Sequence, residues 1–316
     1  GAPLLVAEAA ATDTYSLALN SQPTADVVIA VVPDAQLSVN PASVTFTAAN
    51  WNTPQAVIVA AVDDALVEGS HSGRITHAAA SSDASYEGIA VAEVTVQITD
   101  NDSAGFVVDA SAGLSTSEAG GQAAFTIRLT SQPATGVTIG LSSSDQAEGT
   151  VTPATLTFSP SDWDVPQTVT ATGVDDLVDD GDAAYTVVTA IAVSADPSFH
   201  GVDPADVPVI NRDDDQAGVA IVRGGGQTVV KEGLFPDTYA LSLTSQPTAE
   251  VVIAVTPDSQ LSVSPARLTF TAANWDVPQV VTVTAVDDRI AEGTHSGQIA
   301  HAASGGDPTY AGTALP

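Results

Sequence analysis

The chain has 316 residues, 44% of them hydrophobic, and contains no cysteine or methionine. A formal charge of −31, from seven Lys+Arg against 38 Asp+Glu, argues against nucleic acid and anionic membranes as partners and favours cations. Zero cysteine excludes a disulfide framework, a thiolate metal site and a cysteine nucleophile, and no apolar run is long enough for direct membrane insertion of this segment.

Taken in order from the start, "TYSLAL", "DVVIAVV", "QLSV", "SVTFT", "QAVIVAAV", "GRITHAA" and "EVTVQIT" alternate or run apolar over a strand's length. Turn-forming stretches such as "NSQP", "TAANWNTP" and "SSDASYEG" separate them. No segment carries a sustained helical period. The pattern then begins again. Trp51, Trp163 and Trp275 are spaced by 112 residues, and the paired acids Asp63, Asp175 and Asp287 keep the same interval. The "SQPTADVVIAVVPDAQLSV" of the first unit returns as "SQPTAEVVIAVTPDSQLSV" in the third, while the middle unit diverges more. A repeat of this size is a whole domain, not a solenoid element. About seven short strands per repeat predict an all-β fold: tandem immunoglobulin-like Greek-key β-sandwiches.

Three units follow, at residues 1–103, 104–216 and 217–316. The third opens with "AGVAIVRGGGQTVVKEG" where the first has only "GAPLLVAEA", so the first lacks its opening strand segment. The third stops before a counterpart of "EVTVQIT", so it lacks its last strand. Either the segment derives from a longer array of neighbouring repeats, or chains self-associate through strand donation that fills the exposed edge.

The acidic residues fall at fixed places within the units. Unit one has Glu8, Asp34, Asp63, Asp64, Glu68, Asp100 and Asp102. Unit two has Glu118, Asp145, Asp175, Asp176, Asp180, Asp213, Asp214 and Asp215. Unit three has Glu232, Asp258, Asp287, Asp288 and Glu292. These positions take more than half of the 38 acidic residues, whereas a halophile-like solvation coat would scatter them. All lie at strand ends or in loops, and carboxylates converging on one pole of a sandwich could not all stay ionised without a cation between them. An all-oxygen set on loops suits Ca2+ better than Mg2+ or zinc. The histidine pairs His71/His77 and His295/His301 invite a zinc reading, but six residues along a strand span about 20 Å, so one ion cannot bridge either pair.

A first-strand Glu, then Asp-Asp-x-x-x-Glu-Gly, then a closing "ITDND" or "DDD" together resemble the Calx-β domain, which occurs in sodium/calcium exchangers and as tandem arrays in large bacterial surface proteins. The resemblance covers essentially the whole chain. It implies a calcium cluster at one pole, with ligands from the first-strand Glu, the mid-domain Asp, the Asp-Asp-x-x-x-Glu loop and the terminal acidic triplet. His71 and His295, and Ala183 in the middle unit, stand where that family often has a further acid, and unit one closes with "DND".

The expectation is a non-catalytic calcium-binding array: a stalk, adhesin shaft or filament segment, extracellular or on a bacterial surface. Ca2+ would stiffen each junction, because the closing acids are also the link to the next unit. The alternatives are a ligand- or glycan-binding adhesion module using Tyr86, Phe199 and Tyr310, and a metal-free sandwich array. Paired carboxylates could serve glycoside hydrolysis, but acids recurring in every unit argue against catalysis.

Overall fold

A computed structural model describes residues 3–311. The chain builds three sandwiches in sequence, each with its own hydrophobic core. Unit one contains β1 (Leu4–Ala7), β2 (Thr12–Leu17), β3 (Val27–Pro33), β4 (Leu37–Asn40), β5 (Ser43–Phe46), β6 (Gln55–Ala61), β7 (His71–Ser81) and β8 (Val94–Thr99). Its two sheets run in the orders β1-β8-β7-β3-β5 and β2-β6-β4. Along β3 every second side chain points inward, and Val27, Ile29 and Val31 are buried. That is the alternation read in "DVVIAVV", in which one face of a pleated strand meets the opposing sheet.

Unit two contains β9 (Phe106–Asp109), β10 (Leu114–Ser117), β11 (Gln122–Leu129), β12 (Val137–Ser143), β13 (Gly149–Thr152), β14 (Thr155–Phe158), β15 (Gln167–Gly173), β16 (Ala183–Thr189), β17 (Val193–Ser194) and β18 (Val207–Arg212). Its sheets are β10-β18-β16-β12-β14, with β17 beside β12, and β13-β15-β11-β9. Unit three contains β19 (Val219–Arg223), β20 (Asp237–Leu243), β21 (Val251–Pro257), β22 (Leu261–Ser264), β23 (Arg267–Phe270), β24 (Gln279–Ala285) and β25 (Ile299–Gly305), in sheets β19-β20-β24-β22 and β23-β21-β25.

Unit one has one strand beyond the seven runs read in the sequence, β1, and unit two adds β9, β10 and the short β17. At "NPA", "TPA" and "SPA" the chain leaves one sheet and joins the other, so β4 and β5 belong to opposite layers, as do β13 and β14, and β22 and β23. The opening run divides likewise, with β9 in one sheet and β10 in the other. Among the described residues unit one has no counterpart of β9, and unit three none of β8 or β18. Unit three is consequently open along β25, where a cleft of about 620 Å3 lies between residues 226–230 and 294–299. No helix among the described residues is long and apolar enough to cross a membrane.

One polar bond crosses between the sheets of units one and three. The Tyr15 hydroxyl lies 2.8 Å from His77 Nε2, and the Tyr239 hydroxyl 2.9 Å from His301 Nε2. Burial pushes both phenols up to about 12. The second ring nitrogen of His77 is 2.8 Å from the Ala92 carbonyl oxygen, so Nδ1 donates there and Nε2 accepts from the phenol. His77 is thereby committed to the core, apart from any ligand set containing His71.

Candidate metal centre

Strand register creates the pole. β1 runs parallel to β8 with Ala7 opposite Thr99, so Glu8 and Asp100 leave the sheet side by side. The Glu8 N–H donates to the Thr99 carbonyl at 3.1 Å. Unit two repeats this with Ser117 opposite Arg212, and the Glu118 N–H donates to the Arg212 carbonyl at 3.0 Å. Running parallel, the opening and closing strands end at the same pole, so the residues that follow each of them meet there. From the other sheet, β6 ends at Ala61 and the loop carrying Asp63, Asp64 and Glu68 folds over that pole.

Backbone donors fix the carboxylates. Asp100 Oδ2 accepts from the N–H groups of Glu68 (2.7 Å) and Gly69 (2.6 Å), and its Oδ1 accepts from the Asp102 N–H at 2.7 Å. In unit two Asp213 takes the N–H groups of Gly181 and Asp215 at 2.7 and 2.8 Å. Asn101 spans the pole, its amide donating to Asp63 Oδ1 at 3.1 Å and its backbone N–H to Glu8 Oε2 at 3.4 Å.

Three donor sets result, the ligand atoms in each lying within 4.8 Å of one another: Glu8–Asp100–Asp102, Glu8–Glu68–His71 and Glu118–Asp213–Asp215. Glu8 and Glu118 are almost wholly buried, at 2% and 3% exposure. Glu8 Oε1, Asp102 Oδ2, Glu118 Oε2 and His71 Nε2 are buried with no hydrogen-bond partner. Unpaired buried carboxylate oxygens are costly, and a cation is the group that would satisfy several at once. The oxygen-only sets fit a hard ion such as Ca2+.

The electrostatics agree with that geometry. Desolvation, reinforced by Asp100 and Asp64, raises Glu8 above the usual carboxylate range, although the Asn101 N–H pulls the other way. Desolvation and the charges of Asp100, Asp63 and Asp64 raise Asp102. Desolvation is also the largest influence on Asp100, but the N–H groups of Asp102, Gly69 and Glu68 outweigh it and lower that group. Glu118 is pushed up to about 7 by desolvation, with Asp213, Asp176 and Asp180 adding to it against the Asp214 N–H. Asp180 and Asp215 are raised by desolvation and then by neighbouring carboxylates, among them Asp176 and Asp175.

Other candidate acids lie elsewhere. Asp34, Asp145 and Asp258, the mid-domain positions, stand outside these sets and close their own turns. Asp34 accepts from the N–H groups of Gln36 (3.1 Å) and Arg74 (2.5 Å), Asp258 from those of Gln260 (3.0 Å) and Gln298 (2.6 Å), and Asp145 from that of Ala147 (2.9 Å). Among the described residues of unit three, Glu232, Asp287, Asp288 and Glu292 form no convergent set. Sequence reasoning missed Gln36, whose amide holds the Glu68 carboxylate at 2.9 and 3.2 Å, and its counterpart Glu148 in unit two. It also missed Asp179, which accepts the Ala217 N–H at 2.7 Å across the boundary into unit three.

The acid loops also touch the following unit. The Gln132 N–H donates to the Ala65 carbonyl at 2.7 Å, and a parallel bridge pairs Leu66 with Gln132. At the next junction the Gln246 N–H donates to the Leu177 carbonyl at 2.5 Å. In both cases the acceptor directly follows the Asp-Asp pair, and the donor belongs to the "TSQP" turn.

No protein-family model and no curated protein matches the chain. Among solved structures it is similar to the calcium binding domain CBD12 of CALX1.1, at 14% identity and TM-score 0.32 over 66% of this chain and 96% of that one. The CBD12 of CALX1.2 overlaps at 13% identity and TM-score 0.31, with the same coverage of each chain. Domains 4 and 5 of the S-layer protein SbsC overlap at 15% identity and TM-score 0.28, over 58% of this chain and 77% of theirs. Overlaps at such TM-scores establish neither a family nor a ligand for this chain.

Proposed function

We propose that the chain is a non-catalytic, calcium-binding structural array of Calx-β-like repeats at residues 1–103, 104–216 and 217–316, serving as a stalk, adhesin shaft or filament segment outside the cell or on its surface. The observation that carries this reading is the double duty of the acid loops. Residues 63–68 carry Glu68 of one donor set, residues 175–180 carry Asp176 and Asp180, whose charges bear on Glu118, and the same loops offer the carbonyls of Ala65 and Leu177 to the next unit. A cation that orders such a loop also orders the junction. An ion bound only by the ordered state stabilises it by RT ln(1 + [Ca2+]/Kd), about 2.7 kcal/mol at a hundredfold excess over Kd.

The partners are the adjacent repeats and, for the open edge of β25, a strand from outside the described residues. Tyr86, Phe199 and Tyr310 do not favour the glycan-binding alternative, since all three are buried. The Tyr86 and Tyr310 hydroxyls each donate to a carbonyl at 2.6 Å, of Ser21 and Ser245 respectively.

Small-angle scattering and limited proteolysis in Ca2+ and in EGTA test the proposal. The expected result is a longer particle in Ca2+, with protection of residues 99–105 and 212–218. Identical particle length and cleavage in both buffers would remove calcium stiffening from consideration.

A further inference from the structure

The second donor set of unit one differs in kind from the other two, because it includes an imidazole. His71 opens β7 at the pole, and its Nδ1 lies 2.9 Å from the Gly69 carbonyl oxygen. A carbonyl only accepts, so Nδ1 carries a proton, and Nε2 is the nitrogen that the neutral ring offers as a ligand. That Nε2 is buried without a hydrogen-bond partner, and 3.5 Å away stands Glu68 Oε2. Glu8, 2% exposed and with its Oε1 unpartnered, offers a carboxylate oxygen to the same set. Three electron-pair donors thus face one another within 4.8 Å.

We propose that Glu8, Glu68 and His71 form a binding site for a transition-metal dication of the Zn2+ and Co2+ class, distinct in chemistry from the oxygen-only clusters. Ca2+ takes oxygen ligands, whereas one imidazole with two carboxylates and an open fourth position suits the borderline dications. Bonds of about 2.1 Å at the tetrahedral angle place two ligand atoms about 3.4 Å apart, close to the 3.5 Å between His71 Nε2 and Glu68 Oε2. Two of the three ligands, His71 and Glu68, are already oriented from behind. The Gly69 carbonyl holds the imidazole and fixes its tautomer, and the Gln36 amide holds the Glu68 carboxylate. Such outer contacts set the direction and basicity of metal ligands.

The repeats supply internal controls. Unit two has Ala183 at the position of His71, and its converging set is oxygen only. Unit three keeps half of the arrangement: His295 Nδ1 lies 3.1 Å from the Gly293 carbonyl oxygen, His295 Nε2 is 3.5 Å from Glu292 Oε2, and the Gln260 amide holds Glu292 at 3.2 Å. Glu232 does not converge with that pair. Unit one is therefore the site expected to bind most tightly.

The inference shares Glu8 with the calcium reading but rests on the imidazole, so the two can fail separately. The test uses tag-free, metal-stripped full chain titrated with Zn2+ by calorimetry, with Co2+ by visible absorption, and with Ca2+. The expected result is one Zn2+ equivalent whose affinity falls at least tenfold in His71→Ala and in the bulkier His71→Gln. The visible Co2+ band should weaken in parallel, with Ca2+ binding unchanged. As a measurement independent of substitution, the 15N resonance of His71 Nε2 should shift on adding Zn2+. Zn2+ affinity and Co2+ absorption unchanged by both variants would overturn the proposal. So would a His71 Nε2 resonance that does not move as Zn2+ is added. An unsubstituted chain that binds Zn2+ as expected but gives no Ca2+ isotherm would leave this site standing and sink the calcium reading instead.

Discussion

Stripped of divalent ions, unit two is expected to lose about 3 kcal/mol of stability as the pH rises from 4.5 to about 7, and Glu118→Gln is expected to abolish most of that loss. Glu118 is 3% exposed, and desolvation, followed by Asp213, Asp176 and Asp180, holds its carboxyl near 7 against an ordinary 4.5. Between those values the folded chain retains a proton that the unfolded chain has released, so stability falls as pH climbs. The contribution is complete below the unfolded value and gone above the folded one. At 1.36 kcal/mol per pKa unit the gap amounts to about 3 kcal/mol. Asp180 and Asp215 are raised in the same direction and steepen the slope. Urea midpoints in EDTA-treated protein across this window measure it. Added Ca2+ should flatten the profile, because the ion takes the place of the proton. A slope that persists undiminished in Glu118→Gln would place its origin elsewhere.

Phe199→Ala is expected to cost about 3–5 kcal/mol, the range for emptying a fully buried aromatic site. Phe199 has no exposed surface and packs into the core of unit two. Tyr86 and Tyr310 occupy the corresponding turns in units one and three, where Ser21 and Ser245 receive their hydroxyls. Unit two dispenses with that bond: its counterpart serine, Ser131, donates instead to the Ser103 carbonyl at 3.0 Å. The aromatic ring is therefore an anchor whose polar tip can be omitted. A thermal or urea transition left unchanged by Phe199→Ala would contradict this and return these turns to the list of ligand-binding surfaces.

Much of this architecture was legible in the chain because a strand's period of two is a local property. "DVVIAVV" and its two relatives announce one buried face each, and β3, β12 and β21 keep that alternation. Glu8 and Glu118 could be read as partners of the closing acids because both lie at the ends of strands in a repeated order. Asp34 could not be sorted from them. Whether an acid at a strand end meets a cation or backbone N–H groups depends on the turn it closes, and that turn forms only with Gln36 and Arg74 in place. Gln36 escaped notice because an amide carries no charge to count. Asp179 escaped because Val67 holds its place in unit one, leaving no repeat to flag it. The contacts between units rest on backbone groups of Ala65, Leu177, Gln132 and Gln246, which side-chain chemistry does not advertise.

The parallel pairing of a unit's opening and closing strands also has a mechanical consequence. In unit two, β10 and β18 lie side by side in four register pairs from Leu114–Val209 to Ser117–Arg212. A pull on the two ends of the unit draws these strands along their own length in opposite directions. Their hydrogen bonds are then sheared together, not peeled one after another as they would be in a hairpin. Unit one has the same clamp in β1 and β8, while the described part of unit three has neither strand. Under tension units one and two should each hold through this clamp, a resistance that pulling on single molecules resolves.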